Sequence, residues 1–145
     1  MRLTSFTDYG LRMLMRMAGN PEQAFSTADL AREFDLSRNH LSKIMLRLSR
    51  AGVVETKRGG GGGAVLAKAP VDLRLGALVR VLEEDHHLAE CFSGATSNCT
   101  LDGRCGLKSR LRAAEAAFLA DLDRSTLADI ALPPCGPVRS APPVF

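Results

Sequence analysis

The sequence lacks the features that would place the protein in a membrane or outside the cell. None of its apolar runs approaches the roughly 18 residues that a bilayer span requires, which excludes a membrane protein. The first residues show no charged segment followed by an apolar one and a small-residue cleavage site, so export is not expected. We therefore expect a cytoplasmic protein, whose cysteines serve metal binding or redox chemistry more often than disulfides.

The sequence also lacks the residue sets on which enzymes depend. We find no nucleophile with a neighbouring base and an orienting group, so catalysis is not expected. The consecutive glycines at 59–63 resemble a phosphate-binding loop, but no Gly-Lys-Ser/Thr follows them. The next segment has the pattern of a strand rather than a helix, so a nucleotide-binding site is rejected as well.

The net charge of +3 conceals two halves of opposite sign. Residues 1–70 carry 11 Lys/Arg and 6 Asp/Glu, a net charge of +5, whereas residues 71–145 carry 8 and 10, a net charge of −2. The bias is strongest over 37–58, where six basic side chains accompany one acid, Glu55. Such a cluster is expected of a protein with a phosphate-backbone partner, although an isolated charge run is more often only a solvated helix face.

Hydrophobic spacing in the first third of the chain predicts three helices. The first ends near Gly19 and carries apolar residues at helical spacing, namely Leu11, Leu14, Met15 and Ala18. Ser26 or Thr27 caps a second helix, and Ser37 caps a third that ends at Gly52. Two short helices joined by a tight turn form a helix-turn-helix, in which the second helix reads DNA.

The third helix carries its polar residues away from its apolar stripe. The stripe is centred on Leu41 and Leu48, and a helical wheel places Asn39, Lys43 and Arg50 opposite it. The flanks are His40 and Arg47 on one side and Ser42 with the apolar Leu46 on the other. Charge and geometry therefore agree, and the interpretation of a solvated helix face gives way to a nucleic-acid interface.

The segments that follow predict a winged helix with a dimerisation helix. Strands over 53–57 and 64–68 flank the glycines and form a hairpin, the wing. A fourth helix begins near Asp72, and a long helix with an apolar seam runs from Leu107 to Leu122. One small domain cannot bury that seam, so a two-helix dimer interface is expected.

We therefore predict a mainly α fold with a small β-hairpin wing. Residues 1–70 form a winged helix-turn-helix that binds DNA, residues 71–131 form a cysteine segment with dimerisation helices, and residues 132–145 form a disordered tail. The tail contains Cys135, to which no role is assigned.

Cys91, Cys99 and Cys105 lie in one segment without helical or strand periodicity. Structural zinc, a redox disulfide and unrelated thiols are all compatible with this arrangement, but zinc sites favour closer pairs and a disulfide would leave one thiol over. Thiolates spaced this widely can also wrap an iron–sulfur cluster, whose coordination would have to be completed from elsewhere.

Several motifs together carry a family resemblance: MRLTSFTDYGLR at 1–12, SRNH at 37–40 with LSRAG at 48–52, the glycine wing after Arg58, the cysteine segment, and TLADI at 126–130. Over roughly residues 1–131 they are similar to the bacterial winged-helix iron–sulfur repressors, the family with IscR and NsrR branches. The resemblance implies a homodimeric transcriptional repressor that binds double-stranded operator DNA.

The resemblance also implies a ligand set and a signal. Lys108 stands where the IscR branch has a histidine ligand, whereas Asp8 matches the aspartate by which the NsrR branch reaches the cluster of the other subunit. The implied 4Fe–4S cluster, one per subunit with 2Fe–2S as the alternative, is held by Cys91, Cys99, Cys105 and Asp8 of the partner subunit. Nitric oxide is the implied signal. The alternatives are an iron or redox sensor of the same family and a small electron-transfer protein.

The expected DNA contacts divide into two groups. Near base edges we expect Arg38, Asn39, His40 and Lys43. At phosphates we expect Arg2, Arg47 and Arg58.

Overall fold

The computed structural model describes residues 2–59, 62–93, 99–101 and 103–134. The first three helices, α1, α2 and α3, span Ser5–Ala18, Thr27–Glu33 and Arg38–Arg50. Each begins after a hydroxyl side chain that accepts a hydrogen bond from a backbone N–H of the first turn, and these caps are Thr4, Ser26 and Ser37. The turn between α2 and α3 passes through Asp35 at φ +53°, and the predicted helix-turn-helix is confirmed.

The wing is present, with strand ends that differ from the prediction by one or two residues. Strand β1, Val54–Lys57, pairs antiparallel with β2, Gly63–Leu66. Backbone hydrogen bonds of 2.9 and 2.8 Å join Phe25 to Ala64 and fix the hairpin against the loop between α1 and α2. Gly63 permits this approach, because a Cβ there would lie 2.6 Å from the carbonyl oxygen of Phe25.

The remaining helices are α4, Leu75–Leu82, and α5, Gly106–Leu122, with 3-10 turns at Pro70–Asp72, Glu90–Phe92 and Leu127–Ile130. Helix α4 begins later than the predicted start at Asp72, because long-range backbone hydrogen bonds hold the residues in between. The N–H of Leu127 donates to the carbonyl of Leu73 at 2.8 Å, and the N–H of Leu75 donates to that of Ser125 at 3.1 Å.

One hydrophobic core joins residues from both halves of the chain. Helices α1, α2 and α3 contribute half of its buried residues, and the wing with its flanking residues, the segment 73–82 and the 3-10 turn at 127–130 contribute the others. Its fully buried side chains include Met13, Leu14, Leu30, Leu41, Ile44, Leu48, Leu82 and Leu127. Both predicted regions, 1–70 and 71–131, contribute residues to this core. The domain boundary at residue 70 stays a prediction. Of the predicted disordered tail, 132–145, residues 135–145 lie outside the described residues, whereas the N–H of Leu132 donates to the carbonyl of Met15 at 3.0 Å and ties the start of that segment to α1.

Helix α5 contributes no buried residue. Its C-terminal end is tied to α4, because the carboxylate of Asp123 accepts a hydrogen bond from the N–H of Ala77 at 3.0 Å and pairs with Arg80 at 2.8 Å. Toward its N-terminal end, Leu107 is 64% exposed. Ala114 is exposed as well, whereas Leu111, Phe118 and Leu122 are half-buried, so the single chain covers the predicted apolar seam only in part.

Across the described ranges, no helix combines the length and the hydropathy needed to cross a bilayer.

Candidate nucleic-acid interface and cysteine segment

Helix α3 is held by its apolar stripe and exposes its opposite side. Leu41, Ile44 and Leu48 are completely buried in the core. The residues predicted to lie opposite this stripe, Asn39, Lys43 and Arg50, are exposed, and so is Arg38, a predicted base contact at the start of the helix. Two cations and an amide group, Arg38, Lys43 and Asn39, are the kinds of side chain that bond base edges and phosphates in a major groove. Asn39, Lys43 and Arg50 therefore share one exposed face of α3.

His40 lies differently from these residues. Its ring is 6.1 Å from that of Phe6 and 5.5 Å, edge to face, from that of Tyr9, and both partners belong to α1. Its Nε2 atom is buried without a hydrogen-bond partner among the described residues. The helical wheel identified His40 as a flanking residue but could not show that α1 covers that flank.

Arg47 is engaged within the chain. Its guanidinium hydrogen-bonds to the carboxylate of Asp85, and its Cζ lies 5.2 Å from the centroid of the Phe6 ring. Sequence reasoning assigned Arg47 to a phosphate and did not identify Asp85. The acidic run at 83–85 was the available signal, but nothing in the sequence places it beside α3.

A groove of about 860 Å³ runs between α3 and the end of α4. The side chains that line it are Phe6, Lys43, Leu46, Arg47, Arg50, Ala51, Arg80, Val81, Glu84 and Asp85. Leu46, an apolar residue on the polar side of α3, is 50% exposed in this groove. The groove joins the basic surface of α3 to the acidic residues after α4.

Two further predicted phosphate contacts lie outside α3. Arg58 is exposed at the end of β1, where the wing continues toward its tip. Arg2 is exposed beside a second cavity, of about 400 Å³, that is bounded by the N-terminus, α4 and α5. Arg58 therefore lies on the wing, whereas Arg2 shares a cavity with α5.

Asp8 is a half-exposed residue of α1 whose carboxylate pairs with Arg12. Oδ2 of Asp8 lies 2.8 Å from Nη2 of Arg12, and Oδ1 lies 3.1 Å from its Nε. The ion pair is therefore bidentate and joins residues one helical turn apart. The side chain is 48% exposed. The carboxylate is therefore accessible to a group outside its own subunit, provided that Arg12 releases it.

The cysteines lie between α4 and α5. Cys91 is half-buried in the 3-10 turn Glu90–Phe92, Cys99 is exposed, and Cys105 is half-buried at the N-cap of α5. Within the described residues, the structure does not gather three or more Cys, His, Asp or Glu side chains into an arrangement that could hold a metal ion. The donor set itself fits an iron–sulfur cluster, since three thiols share one segment and thiolates are the ligands of such clusters.

The fold and these surfaces define a class of protein: a winged-helix transcriptional regulator that binds DNA. The Rrf2 family model, described as an iron-dependent transcriptional regulator, matches residues 3–132, and the chain belongs to this family. The expectations of a regulator rather than an enzyme, and of a winged-helix fold, are confirmed.

Individual relatives agree with this assignment. The chain is 43% identical over 131 residues to the HTH-type transcriptional regulator NsrR of Bacillus licheniformis, a match that spans 90% of this chain and 92% of that one. It is 41% identical over 131 residues to NsrR of Bacillus subtilis, which covers 90% of each chain. The solved structure of T. potens IscR matches with a TM-score of 0.70 at 26% identity, covering 90% of this chain and 85% of that one.

Proposed function

We propose that this protein is a homodimeric repressor whose affinity for operator DNA is set by an iron–sulfur cluster that responds to nitric oxide. The observation that carries the proposal is the combination of an exposed basic face on α3 with three cysteines between α4 and α5. The similarity to NsrR regulators supports the choice of nitric oxide as the signal.

In this proposal α3 enters the major groove with its exposed face. Arg38, Asn39 and Lys43 reach base edges, and Arg47 and Arg58 bind phosphates. His40, packed on Phe6 and Tyr9, orients α3 against α1 and contacts DNA only through the edge that α1 leaves open. Arg2 binds a phosphate from beside the cavity that the N-terminus shares with α4 and the second half of α5.

The dimer forms along α5. Leu107 and Ala114 are exposed and Leu111 is half-buried in the single chain, and a second copy of the same helix would bury all three. Each dimer then presents two α3 helices to half-sites about one helical turn of DNA apart.

The ligands of the cluster would be Cys91, Cys99, Cys105 and the partner subunit's Asp8, around one 4Fe–4S cluster per subunit, with 2Fe–2S as the alternative. When bound, the cluster would supply irons that nitric oxide can ligate. Asp8 has to leave Arg12 before it can serve another subunit, so the Asp8–Arg12 pair opens when the dimer is loaded. Because α1 packs on α3, this change at Asp8 reaches the reading helix.

An iron or redox sensor of the same family is the second candidate. The description of the Rrf2 family as iron-dependent and the match to T. potens IscR favour it. The two candidates differ in what releases DNA, which is nitric oxide added to the loaded protein in one case and removal of iron in the other.

The test uses anaerobically prepared full-length protein and a DNA duplex selected by binding from a randomised pool. We expect a brown protein whose visible absorption and DNA affinity are lost together on titration with nitric oxide. Cys99→Ser should abolish the visible absorption and the DNA binding. Cys135→Ser, a matched change in the predicted tail, should alter neither property. A colourless protein with one zinc per chain, or full DNA binding after complete reaction with nitric oxide, would refute the proposal.

A further inference from the structure

Arg47 stands where three elements meet. It belongs to α3, its guanidinium bonds to Asp85 after α4, and it lies over the ring of Phe6 in α1. A guanidinium that rests on an aromatic face and donates to a carboxylate is held in position, and its charge is already paired. The side chain of Arg47 is only 24% exposed, and that of its partner Asp85 is 65% exposed.

Both partners of Arg47 adjoin the segments that carry the expected cluster ligands. Phe6 precedes Asp8 by two residues, and Asp85 precedes Cys91 by six. Asp85 therefore connects Arg47 to the chain that leads into the cysteine segment, and Phe6 connects it to the first turn of α1.

The surroundings of Arg47 have the character of an anion site. The groove between α3 and α4 is lined by the cations Lys43, Arg47, Arg50 and Arg80 and by the acids Glu84 and Asp85. The pKa of Asp85 lies below its ordinary value, first because Arg47 donates a hydrogen bond to it and second because of the positive charge of Arg47. The carboxylate of Asp85 thus occupies a position on Arg47 that a phosphate oxygen could take.

We propose that Asp85 is an autoinhibitory element that competes with a DNA phosphate for Arg47. The inference rests on the proposed role of α3 in DNA binding. It identifies Asp85 as the acid that pairs with one cation of α3, Arg47. While Asp85 is bound, Arg47 releases no counterion from DNA and adds little to affinity. When the segment after α4 withdraws, Arg47 becomes available to the backbone. The position of the segment leading to Cys91 therefore sets the strength of DNA binding.

The test compares Asp85→Asn with Glu84→Gln in the full-length protein, with a fluorescently labelled duplex of random sequence as the probe. Each variant removes one negative charge from the same groove, but the Asp85 change also removes the carboxylate that bonds to Arg47. We expect Asp85→Asn to bind the duplex about three- to tenfold more tightly than Glu84→Gln at about 0.1 M salt. We also expect the slope of log K against the logarithm of the salt concentration to be steeper by about 0.9 for Asp85→Asn.

The same pair of variants is then measured in an Arg47→Gln background, where the difference between them should disappear. Equal affinities for Asp85→Asn and Glu84→Gln would overturn the proposal, as would a gain that persists without Arg47. Weaker binding by Asp85→Asn would overturn it too, since Asp85 would then orient Arg47 toward DNA. In these three cases the parent protein still binds the duplex. Failure of the parent to bind at any salt concentration would instead overturn the proposed function, and the competition with it.

Discussion

Glu83 and Thr4, 79 positions apart in the sequence, are joined by two hydrogen bonds. One carboxylate oxygen of Glu83 accepts from the backbone N–H of Thr4 at 2.8 Å and from its hydroxyl at 3.0 Å. The same hydroxyl accepts from the N–H of Thr7 at 3.2 Å and so caps α1. The residue that follows α4 therefore fixes the start of the helix that carries Asp8.

Replacing Glu83 should destabilise the protein. Glu83→Ala leaves the N–H of Thr4 without its acceptor, and we expect a loss of about 1–3 kcal/mol in the free energy of unfolding. Glu84→Ala is the control, because Glu84 is exposed and the change should cost no more than about 0.5 kcal/mol. Urea unfolding followed by circular dichroism measures both. Equal losses for the two variants would show that the bonds to Thr4 contribute nothing.

Glu83 should also contribute to acid sensitivity. Burial alone would raise the pKa of Glu83, but hydrogen bonds from the Thr7 hydroxyl and from Thr4 outweigh burial, and this pKa lies below its ordinary value. Because the folded pKa is the lower one, the stabilisation is complete above the unfolded value of about 4.3 and is lost as pH falls through the folded value. Between pH 5 and pH 3 we expect Glu83→Gln to lose less stability than the parent protein, as measured by thermal unfolding.

Two glycines in helices should respond oppositely to alanine. A Cβ on Gly76 in α4 would lie 2.3 Å from the carbonyl oxygen of Leu119, whereas a Cβ on Gly106 at the start of α5 would meet nothing within 4 Å. We expect Gly76→Ala to destabilise by about 1–3 kcal/mol because α5 must move away. Gly106→Ala should be neutral or stabilising by up to about 1 kcal/mol, since alanine favours the helix. Differential scanning calorimetry of the pair decides this, and a stable Gly76→Ala protein would contradict the close approach.

His40→Leu tests the part that His40 plays. Leucine keeps an apolar contact with Phe6 and Tyr9 and removes the buried Nε2, so we expect stability to be unchanged or raised by up to about 1 kcal/mol. The same variant also tests base contact. If the imidazole contacts a base, His40→Leu will select a different DNA sequence from a randomised duplex pool than the parent protein does. His40→Ala serves as the comparison, because it leaves a cavity beside Phe6.

Lys43→Ala should weaken DNA binding with little effect on the fold. The side chain is exposed on the outer face of α3, so its removal costs one cation at the interface. Because Lys43 is expected at a base edge, we expect binding to the selected duplex to weaken by about 1–3 kcal/mol. Arg124→Ala, an equal change of charge on a residue 81% exposed beyond α5, should leave binding unaltered. Fluorescence anisotropy with the selected duplex at a fixed salt concentration gives both affinities, and an affinity of Lys43→Ala equal to that of the parent protein would remove Lys43 from the interface.

Local rules predicted the reading motif well. Ser26 and Ser37 cap α2 and α3 as expected, because a short hydroxyl side chain can bond a first-turn N–H without tertiary help. The strand pattern around the glycines predicted the wing for a similar reason. Periodicity alone also located the buried stripe of α3, since Leu41, Ile44 and Leu48 recur at helical spacing.

Contacts distant in sequence could not be predicted in this way. The bond between Arg47 and Asp85 spans 38 positions, and a helical wheel gives the angle of Arg47 without showing which element it meets. Helix α4 starts late because Leu73 and Leu75 are hydrogen-bonded to the segment after α5, which no local pattern encodes. The turn at Glu90–Phe92 is too short to produce a period. The cluster ligands and the partner subunit's Asp8 stay predictions that rest on family resemblance.

The attachment of the wing to the body has a consequence for engineering. The paired hydrogen bonds between Phe25 and Ala64 use backbone groups only, so the placement of the hairpin does not depend on the side chains at its tip. Arg58 and its neighbours toward the tip can therefore be randomised while Gly63 is kept. Such a library would vary what the wing prefers in a DNA groove while the scaffold that presents it stays unchanged.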